Sequence, residues 1–193
     1  MQVSRIESAP LVETLPCIWV TEFELESTQR FCQSIFKFES DPTIEEIFVY
    51  ISSPGGMVYS CFGMIDAMVS CSKPVNTIVM GIGASAGAAL AICGTGKRFI
   101  TSNSFLHIHF ASGAVIGDVP SMEVGVGHAK VLNSRMIRMM ADKSNLTKAE
   151  LLRMIKDSEK EWQVSAKDAV KYGFADIIGT PKFSQETVIS ADF

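Results

Sequence analysis

Apolar positions along the chain recur in two rhythms. Residues 47–51, Ile-Phe-Val-Tyr-Ile, form a short continuous apolar run closed by Ser53-Pro54-Gly55-Gly56, which predicts a buried strand ending in a turn. From 57 to 71 the period becomes helical, with Met57, Cys61, Met64, Ile65 and Met68 on one face, until Lys73-Pro74 stops it. A second strand is predicted over 75–80 and a second helix over 85–93, followed by short strands at 98–100 and 105–108. The chain after Val119-Pro120 reads as helical. Thr147-Lys148-Ala149-Glu150 has the form of a capping box, in which the threonine accepts from a free first-turn amide and the glutamate reaches back. Ser165 is placed to cap a last short helix, Gly173 falls where a C′ glycine belongs, and 175–178 closes as a strand. Strands alternating with helices predict an α/β fold whose parallel strands are buried on both sides. No repeat or Pro/Gly/Ser linker divides the 193 residues, so 1–193 reads as one domain, with tails at about 1–15 and 181–193.

The stretch 74–96 holds no charge and is long enough by count to span a bilayer. It also holds Asn76, Thr77 and Ser85, and Gly81-Ile82-Gly83 interrupts it, so a buried strand running into a small-residue helix explains it better. Composition agrees: 47% hydrophobic and 20% charged residues exclude a disordered chain. The net charge of −4, with basic residues scattered, argues against nucleic-acid binding, which needs concentrated positive charge to displace counterions. Five cysteines (17, 32, 61, 71 and 93) form no C-x-x-C pair and read as small core side chains of a chain folded in a reducing compartment, the cytoplasm. No secretion signal is visible at the N-terminus.

Candidate chemistry gathers at two turns and one strand. Gly83-Ala84-Ser85-Ala86-Gly87 lies between a predicted strand and a predicted helix, where a sharp turn exposes a serine oxygen beside helix-start amides. Ser53-Pro54-Gly55-Gly56 occupies the same kind of junction and can offer a backbone N–H with no side chain in the way. His107 and His109 fall on one side of a strand because side chains alternate with period two, whereas His128 falls on a helix surface. A zinc site would need a third ligand nearby in sequence, and none is present. The loose G-x-G-x-x-A of residues 81–86 lacks the acidic residue a dinucleotide fold places about 20 positions on. An α/β-hydrolase would place its acid before its histidine, and no acidic residue stands between Ser85 and His109.

With those residues in hand, the chain resembles the ClpP family, the proteolytic subunit of the ATP-dependent Clp protease, over roughly residues 44–179. The match runs in order through Tyr50-Ile51-Ser52-Ser53-Pro54-Gly55-Gly56, Lys73-Pro74-Val75, Met80 to Ala88, Gly96-Lys97-Arg98-Phe99, Asn103-Ser104, Ile108-His109 and Ser165 to Gly173. The resemblance implies a ClpP/crotonase-like spiral of ββα units with a handle region. It implies a serine endopeptidase in which Ser85 is the nucleophile, His109 the general base, and the Gly56 and Ala86 amides the oxyanion hole. No metal or other cofactor is expected. It further implies polypeptide substrates, a homo-oligomer of stacked heptameric rings and an AAA+ unfoldase ATPase as partner, with no nucleic acid and no membrane.

The sequence departs from the family pattern at three places. The third triad position, usually aspartate, falls on Glu161, with Asp157 or no acid as alternatives. Phe110-Ala111 follows the histidine where the family commonly has glutamine and proline. The link from His109 to the helix at Val119-Pro120 is a few residues longer than usual, in the region where the family forms its handle strand. The segment before Leu15 is also short and unlike the family's axial loop. Two other function classes stay open: a catalytically silent ClpP-like ring subunit serving assembly and ATPase docking, and a crotonase-type acyl-CoA enzyme.

Overall fold

The computed structural model describes residues 16–158 and 161–182. The predicted tail at 1–15, and 183–193 of the other, lie outside the described residues. Seven strands form one sheet: β1 (Cys17–Val20), β2 (Ile47–Ser53), β3 (Val75–Ala84), β4 (Arg98–Ile100), β5 (Phe105–His109), β6 (Glu161–Ser165) and β7 (Ile177–Ile178). Six helices intervene: α1 (Leu25–Ser40), α2 (Val58–Ser70), α3 (Ala86–Ile92), α4 (Val119–Asp142), α5 (Lys148–Asp157) and α6 (Ala166–Lys171).

The apolar runs become the central strands because a parallel strand needs side chains for both faces. On one face Ile47, Val49, Ile51, Val75 and Val79 join buried residues of all six helices in the main core. On the other face Phe48, Ile78 and Phe99 form a separate small cluster flanked by Cys17, Tyr50 and Met80. There Trp19 stacks on Tyr50, ring centroids 5.0 Å apart. Both faces of the central strands are buried, as expected: Phe48, Asn76 and Ile78 are buried on this second face although its apolar cluster includes no helical residue. The polar residues of the uncharged stretch are paired inside: Asn76 bonds Glu46 and the Lys97 amide, and Thr77 donates to the Ala91 carbonyl at 2.7 Å. Among the described residues no helix is long and apolar enough to cross a membrane.

Strand β3 organises the rest. β2 lies along one edge of it in parallel, and two strands share the other edge. Residues 77–79 of β3 pair with β4, and residues 82–84 pair with β5. Between them the register jumps from Ile51↔Val79 to Ser53↔Gly83, so β3 carries two more residues than β2 over that interval. Gly81 takes φ 84° at the jump, and Ser104 Oγ fills it, accepting from the Gly81 amide at 2.7 Å and donating to the Val79 carbonyl at 3.1 Å. The glycines expected to end the strand instead bend it, and β3 continues to Ala84. β6 then adds antiparallel to β5, the one antiparallel pair of the sheet among the described residues.

The capping predictions hold in detail. Thr147 and Glu150 form the box at α5, Ser165 accepts from the Asp168 amide, and Gly173 follows α6 with φ 73°. Three elements were not anticipated: β1, α1 and β6. The closing strand is shorter than the 175–178 expected, and residues 111–116, in the handle region, carry no strand.

Candidate active site

Ser85 stands at the junction of β3 and α3, with φ 54° and ψ −116°, the one non-glycine residue of positive φ among those described. Its amide donates to the His107 carbonyl at 2.8 Å, which fixes the turn against β5. α3 behind it is wholly buried and built from Ala-Gly-Ala-Ala-Leu-Ala-Ile, so it can lie close to the sheet. A single methyl at Gly87 would come within 3.2 Å of the Ser53 carbonyl.

The second glycine turn closes on the same point. Gly55, at φ 108°, approaches the serine so nearly that a Cβ there would lie 2.8 Å from Ser85 Cβ and 3.3 Å from the Ala86 nitrogen. Gly56 is pressed against Phe23, where a Cβ would fall 2.7 Å from the Phe23 carbonyl oxygen. The Met57 amide donates to that same carbonyl at 2.8 Å and pins the turn. Gly55 thus lies against the Ser85–Ala86 turn with Gly56 next to it in the chain, and the Ala86 amide, at the first position of α3, has no acceptor within the helix.

His107 and His109 share one face of β5, alternating with buried Leu106 and Ile108. His109 and Ser85 line a cavity of about 20 Å³ together with Val58, Ala111 and Leu132, Asn133, Met136 and Met140 of α4. The His109 Nδ1 lies 2.7 Å from the Phe110 carbonyl. A carbonyl only accepts, so the neutral ring carries its proton on Nδ1 and has its lone pair on Nε2. Beyond it the Ala111 amide donates to Asn133 Oδ1 at 2.7 Å, which ties the following segment to α4.

The acidic candidates are placed differently. Glu161 opens β6 directly across from His109 in the register, yet its Oε1 lies 3.0 Å from the Nδ1 of His107. Asp157 is exposed at the end of α5. In this structure, then, Ser85 and His109 line one cavity, the Gly55 backbone lies against Ser85, and the Glu161 carboxylate sits on the neighbouring imidazole. A second, open cleft of about 490 Å³ is lined by His109, Phe110, Ala111, Ser112 and Glu161. No group of three or more His, Cys, Asp or Glu among the described residues is arranged to hold a metal ion. His128 is exposed on α4.

Three participants escaped the sequence reading. The His107 spacing was visible but suggested a shared face with His109 or a metal pair, the role of the Phe110 carbonyl is a backbone property, and Asn133 is a lone asparagine within a helix.

The model of the Clp protease family matches residues 9–182. The chain belongs to the Clp protease family. It is 34% identical over 149 residues to the ATP-dependent Clp protease proteolytic subunit of Streptococcus mutans, covering 76% of this chain and 74% of that one. It is 33% identical to the subunit of the same name from Streptococcus suis, over the same shares. Family membership supports a proteolytic subunit, and with it oligomeric assembly and an ATPase partner in general.

Proposed function

We propose that the chain is a serine endopeptidase, the proteolytic subunit of an ATP-dependent Clp-type particle. The observation that carries the reading is that Ser85 and His109 line one small cavity while the Gly55 backbone lies against Ser85 and the Ala86 nitrogen. Ser85 Oγ attacks the carbonyl carbon of an extended polypeptide while its proton passes to His109 Nε2. The tetrahedral oxyanion is held by the Gly56 and Ala86 amides, each such donor being worth about 2.7–4 kcal/mol in the transition state. As the C–N bond breaks, His109 returns the proton to the leaving amine. Water, activated by the same imidazole, then releases the acyl group and restores the serine. Glu161 is the acid that would steady the imidazolium, once its carboxylate turns from His107 to His109. The assembly we propose is a pair of stacked heptameric rings in the cytoplasm, fed by an AAA+ unfoldase.

The Glu161–His107 contact and the small volume of the cavity favour one alternative, a silent ring subunit. A fluorophosphonate probe separates the two. Stoichiometric labelling of wild type, lost in Ser85→Ala while the assembled particle persists, supports the peptidase. Assembled wild type that takes no label supports the silent subunit.

A further inference from the structure

We infer that His107 is a positioning residue that holds Glu161 away from the base and so sets how fast Ser85 is acylated. This rests on the Ser85–His109 reading above.

Three observations carry it. First, Glu161 faces His109 in the β5–β6 register, and its side chain nonetheless runs diagonally to His107. Diagonal neighbours across an antiparallel pair are within reach of long side chains, so one carboxylate can serve either imidazole. Second, both partners of the missing contact are occupied. Glu161 Oε1 is taken by His107 Nδ1 at 3.0 Å, and His109 Nδ1 by the Phe110 carbonyl at 2.7 Å. Third, the two ends of the Glu161–His107 pair differ in freedom. The His107 side chain is 22% exposed on a strand backed by buried residues, whereas Glu161 is 64% exposed at the start of its strand. Glu161 is therefore the mobile member, and His107 the fixed post to which it is drawn.

The Phe110 carbonyl secures the tautomer that a general base needs, but it is a neutral dipole. It gives the imidazolium formed during acylation far less support than a carboxylate does, because charge-assisted hydrogen bonds are roughly twice as strong as neutral ones. Each swing of Glu161 from His107 to His109 converts a weakly supported base into a fully supported one. His107 and His109 thus compete for one acid, and the balance between them is a property of residue 107.

The test is the rate at which a fluorophosphonate phosphonylates Ser85, with loss of fluoride, in the assembled full-length protein, a reaction that draws on the same base as acylation. His107→Leu removes the competing donor and should raise the rate about 3- to 5-fold, the population shift expected from releasing one solvent-facing side-chain contact of up to about 1 kcal/mol. His107→Asn, whose amide can still donate to the carboxylate, should give a distinctly smaller rise. In a Glu161→Ala background, His107→Leu should give no rise, a non-additivity that a merely structural role would not produce. An unchanged or slower rate in His107→Leu, in a particle of wild-type size, overturns the inference and leaves Ser85 and His109 standing. A gain that survives in the Glu161→Ala background also overturns it. Absence of label from wild type and every variant removes the nucleophile itself, and this inference with it.

Discussion

At Ser85 the backbone adopts a conformation that costs a non-glycine residue on the order of 1–3 kcal/mol, and the surrounding contacts hold it there. The cost is intelligible only if the half-buried hydroxyl is useful, since glycine would occupy the same turn without strain. Ser85→Gly should accordingly raise the free energy of unfolding by about 1 kcal/mol, after allowing for the extra freedom glycine gives the unfolded chain, and abolish acylation. Denaturant melts of the two proteins read this directly, and a less stable glycine variant would mean the turn is not strained. At this scale the sequence was informative wherever a residue type carries its own geometry. Ser85 within G-x-S-x-G, the Gly55-Gly56 pair and the Thr147–Glu150 box were all legible because each demands a particular backbone. The partner of Glu161 was not, because which imidazole a flexible carboxylate chooses depends on rotamers across two strands.

Among the elements, those with strong periodicity were read from sequence and those without it were missed. β2 and α2 announce themselves by a continuous apolar run and a wide apolar stripe. α1 buries only Phe31 and Ile35 over sixteen residues, too thin a stripe to stand out among its serines and glutamates. β6 does alternate, with Val164 buried and Glu161 and Gln163 exposed, but five residues beginning with a charge gave little reason to suspect a strand. Beside the β4–β7 and β5–β6 pairings, one guanidinium ties the late segments to the early sheet. Arg98 makes a two-point contact with Asp176, Nη2 to Oδ1 at 2.6 Å and Nε to Oδ2 at 3.1 Å, and its Nη1 donates to the Lys143 and Gly173 carbonyls. Burial pushes the Asp176 carboxyl upward, and the bonds from Arg98 together outweigh it, leaving the group below the ordinary carboxylate range. A depressed folded-state pKa contributes stability above the unfolded value, near pH 4, that is lost as pH falls through the folded one. Asp176→Ala should therefore cost about 1 kcal/mol at pH 7, because solvent screens this partly exposed pair, and the difference from wild type should shrink in melts run below pH 4. A constant difference across that range would show that the lost packing, not the charge, matters.

Over the whole molecule, apolar surface remains where a lone chain has no use for it. Ile116 is 94% exposed just before α4, and Val119, Val124, Val126 and Val131 stand out from that helix. Exposed apolar side chains gathered on one element mark a contact surface, and membership of the Clp protease family supplies the reason in oligomeric assembly. Val124 and Val131 lie one heptad apart and share a face of α4. Replacing both with aspartate should split the native particle into smaller species on native mass spectrometry. A mass unchanged from wild type would place the contact on another surface.

The bend in β3 sets a limit on how this chain can vary. The extra residues around Gly81 fix how far β3 advances past β2 before it reaches Ser85. Because neighbours on a strand point to opposite sides, losing one residue there would turn the hydroxyl at 85 away from the imidazole while the core beneath stayed filled. Viable relatives should therefore change the lengths of their surface loops freely and keep the spacing between the start of β3 and the serine constant, to the residue.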